Sequence, residues 1–164
     1  MNTSEVDILL VEDNQDDMDL ALHALRRENL ANKIFVVRDG EEALEFLFCC
    51  GAFAGRSFDH PPKLVLLDLK LPKVDGIEVL KQVKGDARTK TIPVVIMTSS
   101  KEERDMVNGY NLGANSYIQK PVDFDQFRNT VKQVGLYWLV TNEAPVTNAA
   151  PHAAGQESRS VTRP

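Results

Sequence analysis

Glu12, Asp13 and Asp68 stand where two apolar runs end, and Lys120 stands where another does. Val6 to Val11 leads into Glu12 and Asp13, and Leu64 to Leu67 leads into Asp68. If the runs are neighbouring strands, the carboxylates crowd into one cleft. Like charges that close repel and raise one another's proton affinity, so joint ionisation calls for a cation. A hard divalent ion with oxygen ligands fits. Mg²⁺ is the natural choice, because it needs few carboxylates and keeps several waters. Lys120 precedes Pro121, a linkage that restricts the lysine backbone and is open to the cis form. Its ammonium can neutralise an oxyanion held near Asp68. Thr98 closes a further apolar run with a hydroxyl that can donate to the same oxyanion, and Ser99 offers a second. A metal, an ammonium and a hydroxyl around one carboxylate make a phosphoryl-binding site, with Asp68 as the candidate nucleophile.

The elements that must position these groups follow from periodicity. Short runs rich in Val, Ile and Leu alternate with longer stretches whose apolar residues fall at helical spacing, which predicts a parallel sheet covered on both faces by helices. Strands are expected at 6–11, 34–37, 64–67, 92–97 and 116–119. Helix one runs from about Asp16 with Met18, Ala21, Leu22 and Leu25 inward. Helix two begins near Gly40 to Glu42, turns Ala43, Leu44 and Leu47 inward, and fades at Gly51. Helix three covers 77–84. Helix four covers 101–112 and closes at Gly113, and helix five starts at Asp123 as N-cap with Phe124, Phe127 and Val131 inward. Ligands of such open sheets sit outside the carboxyl ends of the strands, where these acids are.

Composition narrows the function classes. A chain of 164 residues, 43% of them hydrophobic, buries one sizeable core with an appendage. A formal charge of -5 argues against a phosphate backbone as partner, so no nucleic-acid role is expected. No apolar run reaches the ~18 residues of a membrane span, and a cytoplasmic location is expected. Cys49 and Cys50 are neighbours, a poor disulfide framework, and read as small apolar core or interface residues in a reducing compartment. The connection from Gly51 to Pro62 exceeds the usual ~2 to 6 residues and is either an interaction surface or a tolerated insertion. The expected division is a domain at 1–140 and a disordered C-terminal tail at 141–164, whose composition leaves little to bury.

Val11-Glu12-Asp13, Leu67-Asp68-Leu69-Lys70-Leu71-Pro72-Lys73-Val74-Asp75-Gly76, Thr98 and Lys120-Pro121 together resemble the receiver domain of two-component response regulators over about residues 6–139. The resemblance implies a doubly wound five-stranded parallel α/β sheet, flavodoxin-like, in strand order 2-1-3-4-5. It implies that Asp68 is the phosphoacceptor and that Glu12 and Asp13 bind Mg²⁺ with it, the backbone carbonyl of Lys70 adding a ligand. Thr98 and Lys120 would contact the phosphoryl group, and Tyr117 falls where the family carries an aromatic switch residue that follows Thr98. The donor would be a histidine kinase, and the output a changed surface of helix four, strand five and helix five that binds a downstream protein or passes the phosphate on. Residues 61–72, the long loop before them and the ending 134–138 further resemble the single-domain regulators of phytochromes. That implies a phytochrome-linked kinase and a homodimer through helix four, strand five and helix five, for which Leu136, Tyr137 and Trp138 either offer apolar surface or pack back on their own domain.

Two other classes compete. A phosphatase of the haloacid-dehalogenase type also uses a strand-end aspartate, but wants a second aspartate two residues on, where this chain has Lys70. A pseudo-receiver would bind partners without phosphorylation, and no residue is missing that would favour it. Lys70 and Ser100 flank the route of water to an acyl phosphate, and Lys70 could equally meet the phosphoryl group or a kinase surface.

Overall fold

Runs that are apolar at every position suit only strands covered on both sides, and β1 (Ile8–Val11), β3 (Leu64–Asp68) and β4 (Val94–Thr98) are buried along their whole length. The computed structural model describes residues 2, 3, 5–26 and 33–136. In it these strands are joined by β2 (Ile34–Val37) and β5 (Ser116–Gln119) in one parallel sheet of order β2-β1-β3-β4-β5. The helices are α1 (Gln15–Arg26), α2 (Gly40–Leu47), α3 (Gly76–Gly85), α4 (Lys101–Gly109) and α5 (Phe124–Gln133). This is the doubly wound, flavodoxin-like arrangement expected from the sequence.

Alternate strand residues serve opposite faces. Ile8, Leu10, Leu64, Leu66, Val95 and Met97 share one core with Met18, Ala21 and Leu25 of α1 and Phe127 and Val131 of α5. Leu9, Val11, Val65, Leu67, Val94 and Ile96 share the other with side chains of α2 and α3 and with Val107 of α4. Right-handed crossovers impose this division, because the chain steps one way from β1 to β2 and then back past β1 to β3. That reversal opens a crevice at the carboxyl ends of β1 and β3. Ser100 and the aspartates Asp39, Asp75 and Asp123 cap α4, α2, α3 and α5, each accepting from the backbone N–H three residues on.

Several boundaries differ from expectation for local reasons. β1 begins at Ile8 because the bonds before it are irregular: Asp7 N donates to Lys33 O, and Asp7 O takes both Lys63 N and Leu64 N. β4 begins after Pro93, which has no N–H for the ladder. α4 stops at Gly109 with Tyr110 as C-cap, and Asn111 (φ 50°) takes up the left-handed turn before Gly113 is reached. α2 ends at Leu47, its buried face being Ala43, Phe46 and Leu47 while Leu44 is only partly covered. Leu22 and Phe124 are likewise half-buried, with Ala24 and Thr130 taking the inner positions. The cysteines are not core residues, since Cys49 is half-buried and Cys50 exposed.

The long connection folds back on its own domain. Residues Gly51–Phe53 form a 3-10 turn, Phe53 meets Phe46 edge-on at 5.1 Å and Phe35 at 5.7 Å, and the Arg56 guanidinium lies 3.7 Å above the Phe46 ring. Leu136 packs against the core of α1 and α5 instead of offering a free face. Tyr137, Trp138 and the tail from 141 lie outside the described residues. Among the described residues no helix is long and apolar enough to cross a membrane.

Candidate phosphoryl and metal site

Register brings the site together. Val11 pairs with Leu67, so Glu12 follows one strand level with Asp68 on the next. Asp68 pairs with Met97 and Thr98 with Gln119, which puts Thr98 and Lys120 one step beyond on β4 and β5. The Lys120 N–H donates to Thr98 O at 3.0 Å, and the Lys120-Pro121 bond is cis.

Lys120 is the centre of the charge arrangement. Its Nζ lies 2.7 Å from Glu12 Oε2, 3.0 Å from Asp17 Oδ2 and 3.2 Å from Asp68 Oδ2. Glu12 is fully buried and Asp68 is 5% exposed, so solvent does little to relieve their repulsion. Burial pushes the Glu12 carboxyl up to about 7; Lys120 opposes the rise and the Asp68 charge adds to it. Burial alone would lower the Lys120 ammonium, but its contacts with Glu12, Asp17 and Asp68 outweigh that and hold it above its ordinary value. One ammonium therefore serves three carboxylates, with Asp13 exposed beside them.

Glu12, Asp13 and Asp68 each offer an oxygen, and these oxygens lie within 4.8 Å of one another. An oxygen-only, carboxylate-rich set with excess negative charge fits a hard divalent ion. The Asn14 N–H donates to Glu12 Oε1 at 3.1 Å, and the Lys70 N–H approaches Asp68 Oδ1 at 3.4 Å, contacts that orient the two buried acids. A cleft of about 250 Å³ opens over this set, walled by Asp13, Asp17, Asp68, Lys70, Glu103 and Lys120.

The loop after Asp68 is pinned from behind. Gly76 donates its N–H to Leu69 O at 2.9 Å, and a Cβ there would stand 2.2 Å from the Asp68 carbonyl oxygen. Gly40 meets the same loop, where a Cβ would stand 1.8 Å from the Val74 carbonyl oxygen. Both positions therefore exclude any side chain.

The two switch candidates are placed less simply. Thr98 is buried, but its hydroxyl donates to Glu103 Oε2 at 2.5 Å and contacts Ser100 O at 3.1 Å, so it is engaged by the start of α4. Its cleft is a neighbouring one, shared with Ser99, Ser100, Lys101, Arg104 and Gln119. Ser99 is exposed and borders both clefts. The Tyr117 hydroxyl donates to Asn108 Oδ1 at 2.5 Å, and the Arg104 guanidinium lies 5.7 Å from its ring. Tyr117 is thus held half-buried against α4.

Sequence reasoning missed Asp17 and Glu103. Asp17 showed only as an acid in the first turn of a helix. Glu103 could have been flagged by Ser100-Lys101-Glu102-Glu103, the capping-box spacing. Its N–H does approach the Ser100 hydroxyl at 3.3 Å, yet its carboxylate goes to Thr98 and to the Lys70 ammonium, 3.1 Å away.

The family model for the response regulator receiver domain matches residues 8–132, which takes in all five strands, α1 to α4 and all but the last residue of α5. This chain belongs to the response regulator receiver domain family. The receiver is 43% identical over 138 residues to the probable methanogenesis regulatory protein FilR2 of Methanothrix harundinacea, covering 84% of this chain and 86% of that one. The bacteriophytochrome response regulator AtBRR superposes with a TM-score of 0.77 at 50% identity, covering 85% of this receiver and 99% of AtBRR. The Mn²⁺-bound form of response regulator Rcp1, a protein of Synechocystis sp., superposes with a TM-score of 0.66 at 36% identity, covering 84% of this receiver and 97% of Rcp1.

Proposed function

We propose that this receiver accepts a phosphoryl group on Asp68 from a histidine kinase, with Mg²⁺ bound by Glu12, Asp13, Asp68 and the Lys70 carbonyl. The observation that carries the reading is the meeting of Lys120 with Glu12 and Asp68 beside a cluster of three carboxylate oxygens within 4.8 Å. The bound ion would offset negative charge on the acids and on the incoming phosphoryl oxygens. Lys120 supplies the second positive group and orients Asp68, whose carboxylate oxygen attacks phosphorus while the donor's bond to phosphorus breaks.

The new aspartyl phosphate carries roughly -1.5 to -2 charge on its phosphoryl oxygens, in place of the single charge of a carboxylate. Thr98 and Lys120 then turn to its oxygens, Tyr117 follows Thr98, and the α4, β5 and α5 surface changes. In this reading the protein is a switch and turns over no small substrate. The names of relatives such as AtBRR favour a phytochrome-linked kinase as donor. Met106 and Tyr110 of the α4 region are exposed apolar side chains on the output face, which supports a homodimer or a downstream protein as its partner. A cytoplasmic site of action accords with the free thiols of Cys49 and Cys50.

Incubation with acetyl phosphate and Mg²⁺ followed by intact mass measurement tests the reading. One added phosphate is expected on the parent protein and none on Asp68→Asn. A parent that gains no mass, or an Asp68→Asn protein that gains as much, would overturn it.

A further inference from the structure

Thr98, which the proposed phosphoryl group would recruit, and Lys70, two residues after Asp68, are both engaged by a third group. The Thr98 hydroxyl donates to Glu103 Oε2 at 2.5 Å, and the Lys70 ammonium sits 3.1 Å from Glu103 Oε1. Glu103 thus divides its two oxygens between β4 and the loop after Asp68, from the third position of α4. Its side chain is 15% exposed and lies in the wall of the Asp68 cleft, so its contact with buried Thr98 is sheltered, while the Lys70 side chain is 74% exposed. A hydrogen bond from a buried hydroxyl to a charged acceptor is of the stronger kind, worth roughly a tenfold or greater bias, whereas an ion pair with an exposed lysine is worth much less. The Glu103 main chain serves α4 separately, through its N–H to the Ser100 hydroxyl, so the carboxylate is not needed as a cap.

We propose that Glu103 is a positioning residue that holds Thr98 and Lys70 in the resting arrangement, and that phosphoryl capture at Asp68 requires both to be taken from it. The proposal rests on Asp68 being the phosphoacceptor and names the residue that sets how readily that acceptor is filled. Because the carboxylate binds the resting positions, it lowers affinity for any phosphoryl-like group by the population it withholds. Glu103→Gln keeps an acceptor for Thr98 but loses the ion pair with Lys70, and Glu103→Ala loses both. In transfer from acetyl phosphate, a bond forms between an Asp68 oxygen and phosphorus. The bond from phosphorus to the acetyl oxygen breaks, and acetate leaves with the electron pair.

The experiment measures beryllofluoride affinity by titration calorimetry in Mg²⁺, and the rate of phosphate gain from acetyl phosphate, on the intact protein. The expected order of affinity is Glu103→Ala above Glu103→Gln above parent, with Ala about tenfold above parent. Removing a negative charge from the cleft would itself raise affinity, so the same substitutions are repeated in a Thr98→Ala, Lys70→Ala background. There the positioning effect must vanish, and a gain reduced at least threefold supports the proposal. An equal gain in both backgrounds, or no gain from either substitution, overturns it. If the parent neither binds beryllofluoride nor takes phosphate, the phosphoacceptor reading falls and the proposal with it. A parent that does both while Glu103→Ala matches it refutes Glu103 alone.

Discussion

At the scale of single residues, Lys120 decides how the acids coexist. One ammonium faces Glu12, Asp17 and Asp68, with Asp13 adding to the negative field, so the metal-free site carries unrelieved repulsion. Asp13→Asn should therefore stabilise the metal-free protein by about 0.5 kcal/mol, the scale of an exposed charge interaction. It should also forfeit most of the stabilisation by Mg²⁺, which for the parent reaches about 2.7 kcal/mol at a hundred times the dissociation constant. Urea unfolding with and without Mg²⁺ measures both, and a variant that gains as much from Mg²⁺ as the parent would remove Asp13 from the metal set. A second residue-scale prediction concerns Asp86, whose carboxyl Arg88 grips through both oxygens at 3.0 and 2.9 Å, holding it down at about 2. Its folded value lies below the ordinary 3.8, so the contribution is complete above that pH and is lost as pH falls toward about 2. Parent and Asp86→Asn should then differ in stability at pH 6 and converge by pH 2 in paired acid titrations.

At the scale of elements, glycines govern how closely the loop after Asp68 approaches its neighbours. Gly76→Ala places a methyl 2.2 Å from the Asp68 carbonyl, with no flexible side chain to yield, so strand end and helix start must separate. Loss of about 1–3 kcal/mol is expected, together with weakened Mg²⁺ binding. Thermal melts and a metal titration read the two separately, and unaltered metal affinity would show that this close approach does not shape the site. Much at this scale was legible in the sequence. β2 and β5 fall where expected, and the strands carrying the acids were marked by apolar runs ending in Glu12 and Asp68, because a central parallel strand must be apolar throughout. The juxtaposition of Asp68 and Lys120 also followed, since strand ends in such sheets share one rim. Other features depend on facts beyond the local pattern. The direction of the Thr98 hydroxyl is set by Glu103, a competitor acceptor five residues away that looks like a capping residue until its side chain is placed. Asp17 meets Lys120 from over a hundred positions away, and no periodicity encodes that separation. The burial of Phe46 ahead of Leu44 depends on Phe35 and Phe53 closing over it from other segments.

At the scale of the molecule, one sheet joins two cores. Phe127 belongs to the core under α1 and α5, and Phe46 to the core under α2 and α3, and both are at most 1% exposed. Phe127→Ala and Phe46→Ala should each cost about 3–5 kcal/mol through lost burial and the cavity left behind. Because the sheet separates them, the losses should add within about 0.5 kcal/mol. A double variant that unfolds in two steps by circular dichroism would show that the halves are not one cooperative unit.

The glycine contacts behind the loop after Asp68 also determine where the molecule can yield. With Gly40 and Gly76 clamping the strip from Asp68 to Val74, that side works as a fixed anvil. Accommodation of the phosphoryl group proposed for Asp68 would then come from the opposite jaw, the stretch after β4 where polar contacts of Thr98, Ser100 and Glu103 hold the first turn of α4. Under the proposed function, the asymmetry would send any rearrangement outward through the looser wall to the α4 face.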